Sequence, residues 1–488
     1  MKKRAAGVVV ALALALALSS GCGEVVAQAI GASASDGGTA SDAPADRSPD
    51  SPSGDDGTSP TDAPFDSLGD ATGFCQGHGA ILPGTNLCTG DLANLFKFAA
   101  CSCSSFDVSG VLTTDALGAS ADGGLPQVAS VGANEELSTN STTTIGGSIW
   151  SSGKGLTAGA PAVTLGGVGP GLVAGDVQSG GPIEVVGPYE VEGDVWANGD
   201  VTLSGAGSLL VEGTVHIPTG DTATGVMAPV GGVAMVPSVS VAAPCDCSSP
   251  IDIPSIVHAY AAASMNDDAA MGLKTTSLDD PPGTVKLQCG HYYVDGIHGG
   301  AVSLDILGRV ALFVDGDLSV TQGISIQLEP GAELDLFIAG NVDIQGPTGS
   351  VMVGDVTHAA LTRIYIGGSG NDAGGGFALS ADATLSANIY APNAVVQLAS
   401  DFTLRGAILA QTLQFSGNFS IFYDTTVLQV SQTSGCQPGG GGCSTCNDCP
   451  SATPSCNGGT CGLCHTTADC CAPLVCDQQT GLCLLPTQ

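Results

Sequence analysis

The stretch Phe313-Val314-Asp315-Gly316-Asp317-Leu318 is the strongest indication of the fold. A degenerate copy follows 24 residues later as Phe337-Ile338-Ala339-Gly340-Asn341-Val342. Upstream, Val191-Glu192-Gly193-Asp194-Val195 is echoed by Val211-Glu212-Gly213-Thr214-Val215. In each copy, apolar residues flank a glycine corner, and glycine permits a tight turn. A degenerate repeat of roughly twenty to thirty residues, with one or more short strands per copy, is typical of a β-solenoid.

The segments around these repeats alternate between apolar and polar residues. Ile324-Ser325-Ile326-Gln327-Leu328 is one example, and further runs of the same kind are bounded by Gly, Asn and Asp. A period of two over a short run is the signature of a β-strand. We therefore predict an all-β chain whose main body is a right-handed parallel β-solenoid with a small helical insertion, followed by a disulfide-rich C-terminal module.

The helical insertion is expected at about residues 218–282. It contains proline-rich loops, the motif Cys245-Asp246-Cys247 and one predicted helix. Ser255 is the expected N-cap of that helix, and Gly272 is its expected end. Its expected buried stripe consists of Ile256, Val257, Tyr260 and Ala261. We interpret the insertion as a helical excursion from the solenoid.

Composition divides the chain into four parts. Residues 1–21 are the predicted signal peptide, and residues 22–70 are a tether rich in Ser, Asp, Pro and Gly. We expect the tether to be disordered, because such a segment cannot bury enough apolar surface to offset its chain entropy. Residues 71–435 form the predicted solenoid domain, and residues 436–488 form the predicted cysteine-rich module.

The N-terminus predicts export and a lipid anchor. Met1-Lys2-Lys3-Arg4 is a positive n-region, and the apolar run from Ala5 to Leu18 is too short to span a bilayer. The following Leu18-Ser19-Ser20-Gly21-Cys22 resembles the lipobox of bacterial lipoproteins, which makes Cys22 the expected lipidated residue. The alternative is an ordinary secretory signal that is cleaved nearby. Gly23 follows the cysteine, and by resemblance to known lipoprotein sorting this favours the outer membrane or cell surface.

The other 18 of the 19 cysteines form an even set, as expected for an exported chain in an oxidising compartment. Cys75 and Cys88 are the expected partners of Cys101 and Cys103, although sequence alone does not fix the connectivity. The predicted disulfide cysteines are Cys75, Cys88, Cys101, Cys103, Cys245, Cys247, Cys289, Cys436, Cys443, Cys446, Cys449, Cys456, Cys461, Cys464, Cys470, Cys471, Cys476 and Cys483.

The tail from residue 436 has few core-forming side chains, so disulfides are expected to hold it together. Its spacing resembles knottin-like modules. Its cysteine count is odd, so a bridge to the main body is expected, with Cys436 or Cys289 as a contributor. Thiolates spaced like Cys443, Cys446 and Cys449 can converge on iron or zinc. The fourth ligand of the bacterial ferredoxin pattern is missing, however, and we expect disulfides, no metal and no cofactor.

Four segments of the main body resemble a known family. They are Gly290-His291-Tyr292-Tyr293-Val294-Asp295-Gly296, Val314-Asp315-Gly316-Asp317-Leu318, Ile389-Tyr390-Ala391-Pro392-Asn393-Ala394 and Gly417-Asn418-Phe419-Ser420-Ile421-Phe422-Tyr423-Asp424. They are similar to an uncharacterised bacterial domain, a predicted β-solenoid found in exported lipoproteins and at the ends of some pilus-assembly proteins. The resemblance covers about Cys101 to Val430 and implies no catalytic residues.

Acidic residues supply the first candidate site. Glu190 and Glu192 share a strand face, and Asp194 and Asp200 follow closely. Paired carboxylates can hydrolyse glycosidic bonds or bind calcium. The alternative is a solvated acidic face. Two further acidic residues are interpreted as turn residues rather than ligands: Asp315 and Asp317.

A histidine-rich segment supplies the second candidate site. His291, Asp295 and His298 lie close in sequence, together with Tyr292 and Tyr293. Imidazoles and a carboxylate can bind a metal or act as general acid and base. The alternative interpretation is a strand that enters a coil of the solenoid.

Charge excludes one class of function. The chain has 11 Lys and Arg against 46 Asp and Glu, and such an acidic surface repels nucleic acid. A polysaccharide lyase needs bases and charge neutralisation, and the main body offers few candidates. They are Lys154, Lys274, Lys286, Arg309, Arg363 and Arg405.

We therefore expect a non-enzymatic cell-envelope lipoprotein that presents the solenoid and the cysteine-rich module for adhesion, scaffolding or partner binding. The expected partners are the membrane, through the lipid anchor, and an envelope protein or a glycan. One alternative is a polysaccharide-processing β-helix enzyme of the glycoside hydrolase kind. A third hypothesis makes the tail an inhibitor or toxin that the solenoid carries.

Overall fold

A computed structural model describes most of the main body. The described residues are 74–75, 78–80, 95–117, 129–228, 230–262, 264–369 and 376–427, with the tail strand residues 456–457, 460–461, 475–477 and 482–484. The predicted signal peptide, the tether and Cys22 lie outside these residues. No helix among the residues described is long and apolar enough to cross a membrane.

Short strands dominate the described chain. In chain order they are β1 (Ala100–Ser102), β2 (Phe106–Val108), β3 (Leu112–Ala116), β4 (Val131–Ala133), β5 (Leu137–Thr139), β6 (Thr143–Ile145), β7 (Ile149–Ser151), β8 (Val163–Leu165), β9 (Gly171–Val173), β10 (Val177–Ser179), β11 (Ile183–Val185), β12 (Pro188–Val191), β13 (Val195–Ala197), β14 (Val201–Leu203), β15 (Ser208–Val211), β16 (Val215–Pro218) and β17 (Val233–Val236).

The series continues after two short helices, α1 (Ile253–Ala259) and α2 (Asp268–Met271). The later strands are β18 (Val285–Leu287), β19 (Gly290–Val294), β20 (Ile297–Gly299), β21 (Val302–Ile306), β22 (Arg309–Val314), β23 (Leu318–Val320), β24 (Ile324–Leu328), β25 (Glu333–Ile338), β26 (Val342–Ile344), β27 (Val351–Val353), β28 (Thr362–Ile366), β29 (Phe377–Leu379), β30 (Ala383–Ser386), β31 (Asn388–Leu398), β32 (Phe402–Arg405), β33 (Ile408–Phe415), β34 (Phe419–Tyr423), β35 (Cys456–Asn457), β36 (Thr460–Cys461), β37 (Val475–Asp477) and β38 (Leu482–Leu484). A 3₁₀ turn occupies Ala359–Leu361.

The strands stack in parallel, which confirms the predicted β-solenoid. Each coil contributes a strand to three stacks, as β1, β2 and β3 do, and the next coil adds β4, β5 and β6 directly alongside. One sheet contains 22 strands and another contains 12. Inward positions carry Val, Leu, Ile and Phe, and burial of each such side chain contributes about 1.5–3 kcal/mol.

The chain enters this solenoid in the middle. β33 pairs with both β1 and β2, and β34 pairs with β3, so the last coil stacks directly on the first. At this seam Ala100 lies opposite Ile408, and Leu112 lies opposite Phe419. Above the seam, β1 to β17 form the upper half; below it, β18 to β34 form the lower half.

The glycine corners of the repeat have a structural cause. The carboxylate of Asp176 accepts the backbone N–H of Asp194 at 2.8 Å, and the carboxylate of Asp194 accepts the N–H of Thr214 at 2.7 Å. Each corner carboxylate thus binds the next coil. A Cβ at Gly213 would lie 2.6 Å from the carbonyl oxygen of Gly193, so stacked corners exclude larger residues.

Residues 237–284, here called the return segment, connect the top of the upper half with the bottom of the lower half. The Ile251 N–H donates to the Tyr390 hydroxyl at 3.1 Å, and Tyr260 stacks on Phe313 at 3.8 Å between ring centroids. The segment covers the outer side of the first stack. Strands such as β19 and β25 are therefore buried on both faces.

The expected insertion differs in detail from the observed one. The chain still forms a coil up to β17, inside the range from residue 218 that was assigned to the insertion. Ser255 is not the N-cap of α1; the carboxylate of Asp252 accepts the Ser255 N–H at 3.2 Å and caps the helix. Gly272, with φ of +67°, ends the separate helix α2. Of the expected stripe, Ile256, Val257 and Tyr260 are buried, whereas Ala261 is exposed.

Three disulfides hold the described chain. They join Cys75 to Cys289, Cys101 to Cys245 and Cys103 to Cys247. The expected pairing of Cys75 and Cys88 with Cys101 and Cys103 is therefore wrong, since the coils bring distant segments together. Cys289 is bonded within the main body and does not bridge to the tail. Cys88 lies outside the described residues.

The tail is described only at its strands. β35 pairs antiparallel with β36, and β37 with β38. Cys456 lies opposite Cys461, and Cys476 lies opposite Cys483. Cys436, Cys443, Cys446, Cys449, Cys464, Cys470 and Cys471 lie outside the described residues.

Candidate functional site

A groove lies beside the seam, between the first coils and the return segment. Its volume is about 700 Å³, within the usual range for ligand sites. The loops after β1, β4 and β7 form one wall, and the return segment forms the other. The lining residues are Lys97, Cys103, Asn134, Glu135, Lys154, Gly155, Ala243, Pro244, Cys245, Asp246, Cys247, Ser248 and Gln411.

Covalent and hydrogen bonds fix the two walls relative to each other. Two parallel disulfides, Cys101–Cys245 and Cys103–Cys247, tie the return segment to the first coil. The side-chain amide of Asn134 donates to the Cys245 carbonyl at 3.0 Å and accepts the Cys245 N–H at 3.0 Å. Because Asn134 is buried and uses both ends of its amide, it holds the two walls in a fixed position relative to each other.

The groove brings two lysines together on an otherwise acidic protein. Lys97 and Lys154 are both exposed, and neither forms an ion pair with any residue that the structure describes. The Lys154 backbone is fixed by donation to the Asn134 carbonyl at 3.0 Å. The Lys97 ammonium lies 5.3 Å from the centroid of the Phe98 ring. Glu135 and Asp246 add two carboxylates, so the groove offers donors and acceptors to a polar ligand.

The predicted acidic site at Glu190 and Glu192 lies on an outer strand and on the corner after it. Glu190 is half-buried on β12, and Glu192 is exposed at the corner that follows. Asp194 binds the next coil, as described above. Asp200 does the same, because its carboxylate accepts the Thr222 backbone N–H at 2.6 Å and the Thr222 hydroxyl at 2.9 Å. These two aspartates therefore serve the scaffold.

The predicted histidine site is also dispersed. His291 is buried, with its ring centroid 4.0 Å from that of Phe74, and its Nδ1 lies 3.7 Å from the Asp267 carboxylate. Burial lowers the pKa of His291. His298 is exposed and pairs with Asp279 at 2.8 Å. The two imidazoles bind different partners, so they do not form one centre.

The remaining residues of that segment have structural partners. The Tyr293 hydroxyl donates to the Asp315 carboxylate at 2.6 Å, and the Asp295 N–H donates to the Thr275 carbonyl at 2.9 Å. Tyr292 is 1% exposed and points into the bottom of the core, and burial raises its pKa to about 12.

The two acidic residues that were interpreted as turn residues lie at a coil corner. Asp315 also pairs with His258 of the return segment at 2.8 Å. The Asp317 carboxylate accepts the Asn341 N–H at 2.7 Å, repeating the corner arrangement of the upper half. Both carboxylates therefore act in the scaffold.

Two of the predicted bases lie in a buried charge cluster on the outer side of β22, β25 and β28. Arg363 binds Asp335 through two hydrogen bonds of 2.7 and 3.0 Å and binds Glu333 at 2.9 Å. Arg309 donates to the carbonyls of Phe74 and Gly79. The cluster thereby holds the segment before β1 against the lower half.

Burial and charge compete within this cluster. Burial opposes the charge on Arg363, but Asp335, Tyr365 and Glu333 together outweigh it and raise the pKa of the guanidinium. Burial also opposes the charge on Glu333, yet Arg363, the Gly79 N–H and His78 together outweigh it and lower the pKa of that carboxyl. Arg363 is 3% exposed and Asp335 is fully buried, so neither can reach a ligand in a surface groove.

The other predicted bases do not converge. Lys286 pairs with Asp305 at 3.0 Å, and Arg405 donates to the Val356 carbonyl at 2.9 Å. Lys274 is exposed in the return segment. Of the six basic residues named in the main body, Lys154 is the one that lines the groove.

Sequence reasoning missed one pair of carboxylates. Asp107 on β2 and Glu136 after β4 are half-buried and lie close enough to interact electrostatically. Burial raises the pKa of Glu136, and the charge of Asp107 raises it further. Burial also raises the pKa of Asp107. The two residues are a whole coil apart in the sequence, so no local motif indicates that they are neighbours.

Metal ligands are not grouped in the described part of the chain. There, no cluster of three or more His, Cys, Asp or Glu side chains is arranged to hold an ion. The candidate thiolates Cys443, Cys446 and Cys449 fall outside it.

Comparison with known proteins gives one match. Neither the curated proteins nor the solved structures yielded a significant match to the chain. The family match begins inside the return segment and ends beyond β34, so it contains α1, α2 and the lower half. The expected resemblance from Cys101 onward is thus confirmed over a shorter range. Residues 249–430 match the model of the uncharacterised family DUF7305 (domain of unknown function).

Proposed function

We propose that this protein is a non-enzymatic cell-envelope lipoprotein whose solenoid presents the groove to a ligand. Two features support the location. Leu18 to Cys22 resembles a lipobox, and six cysteines of the main body pair as three disulfides, which persist in oxidising compartments. The anchor would be the acylated Cys22, probed by mass analysis of the mature N-terminus. An unmodified N-terminus beyond Cys22 contradicts the anchor and leaves the groove proposal untouched.

The groove is the structural feature that supports the binding function. Two exposed lysines without ion-pair partners among the described residues face a volume of about 700 Å³, on a chain with only 11 basic residues. The surrounding surface is acidic and repels anions in general. A ligand with acidic groups and many hydroxyls, such as an acidic polysaccharide, matches the two lysines and the adjacent amide and carboxylate groups.

Charge reversal in the groove tests this function. We expect Lys97→Glu and Lys154→Glu to abolish retention of an acidic polysaccharide, because both remove attraction and add repulsion. Lys274→Glu is the matched control, since Lys274 is also exposed but is not one of the residues that line the groove. Equal retention by all variants would contradict a role for the groove, and retention of an envelope protein alone would redirect the search to a protein partner.

One observation favours the enzymatic alternative. The raised pKa of Glu136 beside Asp107 is the property required of a general acid, and a pair of carboxylates is the usual machinery of a glycoside hydrolase. New reducing ends that disappear in Glu136→Gln would establish hydrolysis. Their absence with the wild-type chain would leave binding as the function.

A further inference from the structure

The top of the solenoid leaves core positions open. In β17, Val233 lies in register with Val215, and Met235 lies in register with Ile217. Val215 and Ile217 point inward and are 0% exposed, whereas Val233 and Met235 are 45% and 56% exposed. Both residues occupy inward positions of the last coil, and no described residue covers them from above.

The backbone of β17 is open on the same side. The Val215 N–H donates to the Gly232 carbonyl, and the Thr219 N–H donates to the Val236 carbonyl, so the even-numbered residues of β17 face β16. In a parallel ladder the alternate residues, Val233 and Met235, direct their N–H and C=O groups to the other side. That row of unpaired groups is a template for another strand.

The open end also lacks charge. Residues 222–244 contain no Asp, Glu, Lys or Arg, although the whole chain has a net charge of −35. Met227 and Val230, which lead into β17, are 54% and 82% exposed. Natural sheet edges are usually protected by charged residues, and this edge has none.

We propose that the open end binds the open end of a second copy of this chain. Two copies related by a two-fold axis would place β17 antiparallel to its equivalent, and each edge would satisfy the other. The open end is self-complementary under that axis, because the same unpaired strand edge and the same exposed apolar side chains face each other. Residues 222–244 bring no like charges into the contact, although two chains of net charge −35 repel each other elsewhere. The exposed valine and methionine side chains would complete the two cores.

The experiment measures the oligomeric state of the chain from Gly23 onward, exported so that its disulfides form, by sedimentation over a range of concentrations. The expected result is a dimer that Met235→Lys dissociates, raising the dissociation constant at least about a hundredfold, because a buried unpaired charge is costly. Met352→Lys is the matched control: Met352 is 46% exposed on β27 in the lower half, and its substitution should leave the dimer intact.

Two outcomes overturn the proposal. One is a wild-type chain that stays monomeric at every concentration; the other is a dimer that persists in both Met235→Lys and Met227→Lys. Hydrogen exchange identifies a different occupant. If the monomer protects the amides of Val233 and Met235 as strongly as those of β16, another segment of the same chain covers the edge. Thermal unfolding of each variant tests whether the loss of the dimer results from loss of the fold.

Discussion

The two ends of the solenoid face the same physical problem and are built differently. At the bottom, the N–H groups of His291 and Tyr293 would be unpaired, but the carboxylates of Asp267 and Asp268 accept them at 2.9 and 3.1 Å. Tyr292 fills the core there. At the top, β17 has no such cover among the described residues. Since each coil is stabilised only by its neighbours, an end needs either a cap or a partner.

The two ends of the solenoid therefore have different structural roles. Residues 264–284 of the return segment close the bottom with side-chain carboxylates and backbone carbonyls, such as that of Thr275. The top keeps an uncharged edge strand. The lower end therefore serves stability, and the upper end is the surface left for association.

The largest expected effect is at the charge cluster of the closed lower half. Arg363→Ala should lower the free energy of unfolding by about 3–5 kcal/mol, because it leaves Asp335 and Glu333 buried without their partner. Arg405→Ala is the control, since this half-buried guanidinium binds a single carbonyl and should cost about 1 kcal/mol. Urea unfolding measures both. A loss of stability in Arg363→Ala no larger than that in Arg405→Ala would contradict the stabilising role of the cluster.

The core ends provide the most direct comparison. Tyr292→Ala removes a side chain that is 1% exposed and should cost about 3 kcal/mol through loss of burial and a cavity. Val233→Ala, at a position that is 45% exposed, should cost below about 1 kcal/mol at concentrations where the chain is monomeric. Comparable costs in urea unfolding would mean that the top is covered as well as the bottom.

The cap at the lower edge should have an intermediate effect. Asp267→Ala leaves the His291 N–H without its acceptor and should cost about 1–3 kcal/mol. Asp221→Ala, in the uppermost coil, is the control, because its side chain accepts no hydrogen bond from a described residue and its loss should be nearly neutral. Unfolding of the Asp267 variant at the wild-type midpoint would contradict the capping role.

The smallest expected effect is a pH dependence at the lower end. The pKa of His291 is lowered by burial, so the folded state favours the neutral ring. Its contribution to stability is complete above the unfolded value of about 6.5 and is lost as the pH falls below it. His291→Phe preserves packing against Phe74 and should flatten the decline in melting temperature between pH 7 and 5. A decline in His291→Phe as steep as in the wild type would contradict this assignment.

The sequence was sufficient for the local architecture. The period of two and the recurring glycine corners predict parallel coils, and the structure confirms them. The first helix was misplaced at its cap, because the signal lay in Asp252 and Pro254 rather than in Ser255. Strand patterns are nearly identical in every coil, so they do not reveal where the chain enters. The seam between Ala100 and Ile408 is a contact between distant segments that periodicity does not encode.

The candidate groove was beyond prediction for the same reason. Lys97, Glu135 and Asp246 belong to different segments that meet only because the return segment crosses the first coil. One signal was present: Cys101 and Cys103 are spaced like Cys245 and Cys247, and two matching pairs favour a parallel double cross-link. The clusters near Glu190 and His291 were close in sequence, but a corner follows each strand and the members bind different partners: Asp194 binds the next coil, and His298 pairs with Asp279 of the return segment.

The most direct test of the binding function is one incubation of the exported chain with a panel of bacterial and plant polysaccharides. Retention of polysaccharide and formation of new reducing ends are followed together, with Lys154→Glu beside the wild type. We predict that the wild-type chain retains an acidic polysaccharide, that the variant retains none, and that no new reducing ends form. New reducing ends would contradict a non-enzymatic protein, and retention that survives Lys154→Glu would contradict the groove.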